Sequence, residues 1–367
     1  MRILYVTTVG GTMGFFKSII GELVKEGNVV DIATNEESRK VDDYYRELGC
    51  KIFPISTSRS PFSIGNVRAI KQIREISKDY DIVHCHTPLA GAATRIGCKG
   101  LRKKGLKVMY TAHGFHFYKG APMKNWLIYY PIEKICAHWT DVLITINKED
   151  YSLARKNMKA KQVEYVPGVG IDTKKYFDVI TDRKKKREEI GVPKDAKVVL
   201  SVGELNENKN HRIVIEALGR INDQTIHYVI AGSGEQKENL ESLAKKYNVN
   251  LHLLGYRKDV SELYKCADLF VHPSLREGLP VVLMEAIASK INCICSNIRG
   301  SRDLVKNGLF DPTDVESVEE QILRYFEEDN YIENYTYLKT FDLSCVNEEI
   351  KHFYNSETGG YYITSKE

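Results

Sequence analysis

The stretch His272-Pro273-Ser274-Leu275-Arg276-Glu277-Gly278-Leu279-Pro280-Val281-Val282-Leu283-Met284-Glu285-Ala286 decides how this chain is read. The residues leading into it, Asp268 to His272, are short and apolar, the pattern of a buried strand. Gly278 permits a tight turn and Pro280 suits the first helical position. Val281 to Ala288 predicts a helix that is apolar except at Glu285. Glu277 then falls in the loop before the helix and Glu285 in its second turn. The free amides of residues 279 to 282, at the turn through Gly278, Leu279, Pro280 and Val281, form a site that attracts anions, with one carboxylate before it and one inside it. Amides of that kind suit a diphosphate, and the carboxylates suit hydroxyls, as in a sugar nucleotide. A charge inside an apolar run is costly unless it has a partner or an opening, so Glu285 demands one or the other.

Working outward, the second half alternates strand and helix. Strands are predicted at Val198 to Val202, His227 to Ala231, Leu251 to Leu254, Leu269 to His272 and Ile291 to Ser296. Helices are predicted at His211 to Ile221, Gln236 to Tyr247, Val260 to Cys266 and Val281 to Ser289. The first half repeats the alternation from Arg2 to Val166, opening with a strand, a Gly-rich loop over Val9 to Gly14 and a helix over Phe15 to Glu26. Such repetition predicts parallel sheets built from strand–helix–strand units. That loop is not Gly-x-Gly-x-x-Gly and no acid ends the second strand, which weakens a dinucleotide reading. The turn-rich segment Pro167 to Asp172 joins the halves, and the charged run Asp182 to Glu189 opens the second. We therefore expect an α/β chain of two doubly wound, Rossmann-like domains, 1–170 and 171–345. Residues 346–367 form a C-terminal helix and tail that packs back on the first domain. Residues from Glu319 to Tyr354 read as helical, and from Gly359 onward the chain reads as weakly packed.

A length of 367 residues suits two domains, and 43% hydrophobic with 28% charged residues excludes a disordered or fibrous chain. No apolar run reaches the roughly 18 residues that span a bilayer. Eight cysteines without a Cys-x-x-Cys pair argue for a reducing cytosol. Residues 1–170 hold 26 Lys and Arg against 16 Asp and Glu, and the remainder 27 against 33, so the first half is the basic one. That bias favours an anionic partner such as a membrane surface or a phosphorylated acceptor.

Ligands of doubly wound sheets lie beyond the carboxyl ends of the strands, so the loops after strands carry the chemistry. Thr111-Ala112-His113-Gly114-Phe115-His116 offers two histidines three apart, a weak metal pattern with no third ligand. His84 and His86 read as satisfied structural residues. Ser201-Val202-Gly203-Glu204-Leu205-Asn206-Glu207-Asn208-Lys209 follows a strand, as do Ala231-Gly232-Ser233-Gly234-Glu235 and Gly255-Tyr256-Arg257. Arg95, Lys99, Arg102, Lys103, Lys104 and Lys107 cluster without an intervening acid. Phe115, Phe117, Tyr118, Trp126, Tyr129 and Tyr130 follow, interleaved with lysines. Basic residues beside aromatics mark a surface that rests on anionic headgroups, with a solvated helix end plus core aromatics as the alternative. Nucleic acid is disfavoured because no recognised module accompanies the charge.

Glu277, seven residues and Glu285, with Gly-Leu-Pro after the first, resembles the family-4 retaining glycosyltransferases, notably the bacterial capsule and exopolysaccharide enzymes. The resemblance spans nearly the whole chain and is closest from about Ser201 to Asp311. It implies the GT-B fold, two facing Rossmann-like domains with a central cleft, the first binding the acceptor and the second the donor. By the same resemblance Glu277 contacts the donor hexose, Glu285 the ribose and Lys209 the diphosphate. His113 and Gly11 serve the reacting region, while Gly232 and Arg257 border the nucleotide. The family usually has Arg where this chain has Glu204; that removes a phosphate cation for which Arg276 or Arg257 can substitute. The implied reaction moves a hexose or N-acetylhexosamine from a UDP-sugar to a lipid-linked saccharide acceptor with retention, without metal or cofactor. The protein is then expected to be cytoplasmic, peripheral at the inner face of the membrane through Arg102, Lys103, Lys104, Phe115 and Trp126. Two alternatives are a sugar-nucleotide 2-epimerase of the same architecture and a non-catalytic partner subunit.

Overall fold

The computed structural model describes residues 1–58, 60, 63–327 and 335–356. The tail from Gly359 and part of the helical reading of 319–354 lie outside them. The chain divides into two compact units: Met1–Val169 together with residues from Ser344, and Gly170–Leu343.

In the first unit seven strands, β1 (Arg2–Val6), β2 (Val29–Thr34), β3 (Ile52–Pro54), β4 (Ile82–His86), β5 (Lys107–Ala112), β6 (Val142–Thr145) and β7 (Gln162–Tyr165), form one sheet. Their order is β3-β2-β1-β4-β5-β6-β7, and the paired strands run parallel. Successive residues of a strand point to opposite faces, so Ile3 and Tyr5 join one core with Ile32 and Met109, and Leu4 and Val6 join another with Val83 and Val108. Both faces are covered, which is why these strands read as continuous apolar runs.

The helix Leu343–Asn355 closes this unit. Its Tyr354 Oη lies 2.5 Å from Tyr5 Oη and 2.7 Å from His84 Nδ1. Asn347 donates to Ser18 Oγ and Glu22 Oε1 at 2.9 and 2.6 Å, and Lys107 donates to Phe353 O and, at 2.7 Å, to Ser356 O.

The second unit holds β8 (Lys197–Val202), β9 (Ile226–Ala231), β10 (Asn250–Leu253), β11 (Leu269–His272), β12 (Asn292–Ser296) and β13 (Leu309–Phe310), in the order β10-β9-β8-β11-β12-β13. Each sheet therefore has a switch point where the winding reverses, between β1 and β4 and between β8 and β11. Crevices for ligands open there.

Three local features depart from expectation. The segment Gly10–Phe16 is a 3₁₀ helix and not a loop, so the α-helix starts at Lys17. Gly10 packs its backbone against that of Arg39, where an added Cβ would stand 2.5 Å from the Arg39 oxygen. Pro280 caps the helix Val281–Ala288 in an extended conformation (φ −75°, ψ 112°) instead of opening it. A 15-residue helix, Met123–Ala137 with Pro131 inside it, occupies the aromatic stretch in which no helix was expected. No helix among the described residues is long and apolar enough to cross a membrane.

Candidate functional site

At the switch point of the second unit, the loops after β8 and β11 are stitched together by backbone and side-chain bonds. Asn206 accepts the Lys209 amide at 3.0 Å, forming a short 3₁₀ turn. Asn210, with φ +53°, then redirects the chain into the helix His211–Ile221. Asn208 O accepts the Leu275 amide at 2.8 Å, and Asn208 Nδ2 donates to Arg276 O at 3.1 Å. The result is that Lys209 Nζ lies 2.7 Å from Glu277 Oε1, with His272 Nε2 3.3 Å from the same oxygen. Burial pushes the Glu277 carboxyl upward, but His272 and Lys209 together outweigh it and hold it at about 2. Burial keeps His272 below its ordinary range. Glu277 is thus an ionised carboxylate held beneath a lysine whose ammonium has further hydrogens to give.

Above Glu277 the helix Val281–Ala288 begins. Pro280 has no amide hydrogen, so the amides at this end belong to Leu279, Val281 and Val282, while Leu283 already bonds to Pro280 O at 3.2 Å. Gly278 is pinned by Gly300, where a Cβ would come within 2.2 Å of the Gly278 oxygen. Arg299, buried, donates Nε to Glu277 O at 3.1 Å. This cation in the loop after β12 was missed because a single Arg in a loop carries no pattern of its own.

Glu285 sits one turn and a half into the helix and finds the partners that its place in an apolar run demands. Tyr176 donates to Oε1 at 2.6 Å, and Tyr264 Oη is 3.2 Å from Oε2 and 3.0 Å from Val282 O. Burial raises the carboxyl and the two hydroxyls pull it back, leaving it above its ordinary value. Each carboxylate oxygen carries two lone pairs, so one hydroxyl on each still leaves an acceptor position apiece. Neither tyrosine was legible: Tyr176 lies 109 positions from its partner.

The other expected donor residues have engagements of their own. Glu204 is exposed, accepting from Asn206 Nδ2 at 3.0 Å. Gly232 serves close backbone approach, since a Cβ would meet the Gly203 oxygen at 1.7 Å. Arg257, expected to substitute for the missing phosphate cation, is paired with two acids. Its guanidinium binds both Asp259 oxygens at 2.8 and 2.5 Å and Glu189 at 2.6 Å, because these acids lie within its reach beside Lys186. Arg276 is exposed next to Glu277.

The switch point of the first unit is of another kind. Thr87, a β-branched residue at φ +68°, follows His86 and holds Thr8 Oγ1 at 2.6 Å. Backbone strain of that sort concentrates at functional sites. Behind it stand three imidazoles. His84 spans Tyr354 Oη and Thr111 Oγ1 at 2.7 and 2.8 Å, and His86 Nδ1 lies 3.1 Å from His113 Nε2. The His86 ring packs 4.2 Å from those of His84 and Phe16. Burial lowers His84 to about 3 and His113 to about 4, and it holds His86 well below its ordinary value. His86 Nε2 is buried without a partner. Gly11 lies against the Arg39 side chain, 2.4 Å from where its Cβ would be. Among the described residues no group of three or more His, Cys, Asp and Glu is placed to hold a metal.

Only Lys99, Lys103 and Lys104 keep the basic cluster at the surface. Arg95 is fully buried, donating to Glu133 at 2.8 Å with its guanidinium 3.9 Å from the Tyr110 ring centre. Arg102 chelates Asp141 through two bonds, at 2.9 and 2.6 Å, and Lys107 ties down the last helix. Lys103 and Lys104 are exposed. Phe115 is buried and Trp126 packs against the same core, so the aromatics named for a membrane face point inward.

Two family models match, Glycosyltransferase Family 4 over residues 9–175 and Glycosyl transferases group 1 over 182–339. The putative glycosyltransferase EpsD of Bacillus subtilis is 38% identical over 264 residues, 70% of this chain and 69% of that one. The chain belongs to glycosyltransferase family 4. A UDP-Gal:alpha-D-GlcNAc-diphosphoundecaprenol alpha-1,3-galactosyltransferase of Escherichia coli is 30% identical over 289 residues, 74% of this chain and 72% of that protein. Among solved structures, Anabaena HepE in complex with UDP superposes with a TM-score of 0.80 at 17% identity, covering 97% of this chain and all of that one. This glycosyltransferase therefore has the two-domain Rossmann-like GT-B fold, and its loops at the β8/β11 switch point are the donor-site candidates of a transferase.

Proposed function

We propose that the protein transfers a hexose or N-acetylhexosamine from a UDP-sugar to a lipid-linked saccharide in surface polysaccharide synthesis, with retention of anomeric configuration and without a metal. The observation that carries this reading is the ionised Glu277 under Lys209 at the start of the helix that bears Glu285. In it, the amides of Leu279, Val281 and Val282 and the ammonium of Lys209 take the diphosphate. They stabilise the charge that grows as the leaving group departs, a preorganised electrostatic role that a metal plays elsewhere. Glu285, oriented by Tyr176 and Tyr264, receives the ribose hydroxyls on its remaining acceptor positions. Glu277 orients the sugar, and His113 with Gly11 serves the reacting region. Neutral at physiological pH, His113 can accept or give one hydrogen bond without adding charge.

The acceptor class is supported by the Escherichia coli relative, named for a diphosphoundecaprenol acceptor, and the donor by that relative and the UDP-bound HepE. An enzyme using such an acceptor works from the cytosolic side at the bilayer surface as a peripheral protein. The named relatives are transferases, so the epimerase and the partner-subunit readings are not carried further.

Thermal-shift titration with UDP, GDP, ADP and UDP-sugars, with and without EDTA, tests it on the wild type and Glu285→Ala. A ligand at 100 times its Kd adds roughly 2.7 kcal/mol. The expected result is stabilisation by UDP or one UDP-sugar that survives EDTA and disappears in the variant. Indifference of the wild type to every nucleotide would overturn the donor assignment, and loss of the effect with EDTA would overturn metal independence.

A further inference from the structure

We infer that the outer face of the helix Met123–Ala137 is a docking surface for an anionic lipid bilayer. Surface helices normally turn polar residues outward. This one is apolar on both sides. Inward, Trp126, Tyr129 and Tyr130 pack against the core. Outward, Met123 is 72% exposed, Leu127 71%, Ile135 55% and Ile132 38%, with Pro122 and Pro131 beside them. Positions 123, 127, 131 and 135 follow one another at helical spacing, so the exposed residues form one stripe along the helix rather than scattered singles.

The charge pattern selects the occupant. From residue 119 to 138 the one acid is Glu133, and it is buried against Arg95. The exposed ionic side chains of that segment are Lys119, Lys124 and Lys134. Arg102 donates to His138 O at 2.9 Å, which brings the exposed Lys103 and Lys104 to the carboxyl end of the same helix. Glu149 accepts the Lys119 amide at 3.4 Å. An apolar stripe with lysines at both ends fits acyl chains under anionic headgroups, the lysine stems lying along the apolar surface with their ammonium groups at the phosphates. A second copy of the chain fits poorly, since a two-fold interface would set these lysines against one another. The surface deepens the lipid-linked acceptor reading, and lies apart from the arginine and inward aromatics that the sequence suggested.

Vesicle flotation of the full chain separates the two claims. With phosphatidylglycerol vesicles the wild type should float, release as salt is raised, and bind pure phosphatidylcholine weakly. Leu127→Gln/Ile135→Gln should lose about tenfold or more in vesicle affinity while keeping the wild-type thermal shift with UDP. Lys124→Gln/Lys134→Gln should lose the preference for anionic lipid. Unchanged flotation of the Leu127/Ile135 variant, or a wild type that ignores anionic vesicles, overturns the docking surface even where UDP binds. Concentration-dependent dimers abolished by the same variant, without flotation, assign the face to self-association and overturn it as well. Flotation by a chain that no nucleotide stabilises leaves the surface standing and overturns the donor assignment instead.

Discussion

At the carboxyl ends of β8 and β11 a half-buried carboxylate is kept ionised by an imidazole and a lysine; at the ends of β4 and β5 three imidazoles are kept neutral by burial. The folds around these clusters wind alike, so the difference lies in which side chains the loops after the strands deliver. A fixed charge is useful where a ligand brings opposite charge or hydroxyl donors, and a neutral polar wall where bonds must be made without charge. The comparison teaches that equivalent switch points on two similar sheets can be given opposite electrostatic duties by a few loop residues.

The largest expected effect comes from discharging the charged cluster. Glu277→Gln or Lys209→Ala should lower the transfer rate by about 10²–10³-fold, comparable to removing one preorganised group that stabilises developing charge. Steady-state rates with a UDP-sugar donor measure this, and a loss smaller than tenfold in both would break the assignment. Next comes the backbone contact that shapes the same loops. Gly232→Ala forces a Cβ to within 1.7 Å of the Gly203 oxygen and should cost on the order of 3 kcal/mol in denaturant unfolding.

Acid separates the two clusters. In the unfolded chain the histidines take up protons near pH 6.5, whereas folded His113 and His84 do so only near 4 and 3. Between those values the unfolded chain binds more protons, so stability falls as pH drops from about 6.5 toward 4. Glu277 behaves otherwise: its contribution is intact above its ordinary value of 4.5 and is lost as pH falls toward about 2. Denaturation followed at successive pH values should show the first loss shrinking in His84→Gln and the second in Glu277→Gln. Smaller still, Tyr176→Phe removes one hydrogen bond to Glu285 and should weaken UDP binding by about 1 kcal/mol, roughly fivefold, in calorimetry. Arg257→Gln should leave nucleotide affinity unchanged, because its guanidinium is already committed to Asp259 and Glu189.

Legibility in the sequence followed the range of the interaction. The helix Val281–Ala288 and its two glutamates could be read because a glycine, a proline and an apolar run with one charge lie within a dozen residues of each other. The alternating strands were readable for the same reason. The helix Met123–Ala137 was not, since it is apolar all round and carries Pro131, which removes the 3.6-residue periodicity that marks a helix. Arg95 looked like one member of a basic patch because its partner Glu133 is 38 positions away. Likewise Tyr176, Arg299 and the pairing of His86 with His113 depend on which loops the topology brings together, which no local window contains.

The attachment of the helix Leu343–Asn355 to the first sheet has a consequence in time. Tyr5 and His84 leave the ribosome early, and their shared partner Tyr354 is made last among them, after the whole of Gly170–Leu343. At about 5–20 residues per second the first sheet waits on the order of tens of seconds with the seat of that helix open. The second unit, continuous in sequence, can complete itself meanwhile, so the part of the protein that is synthesised first is the part that finishes folding last.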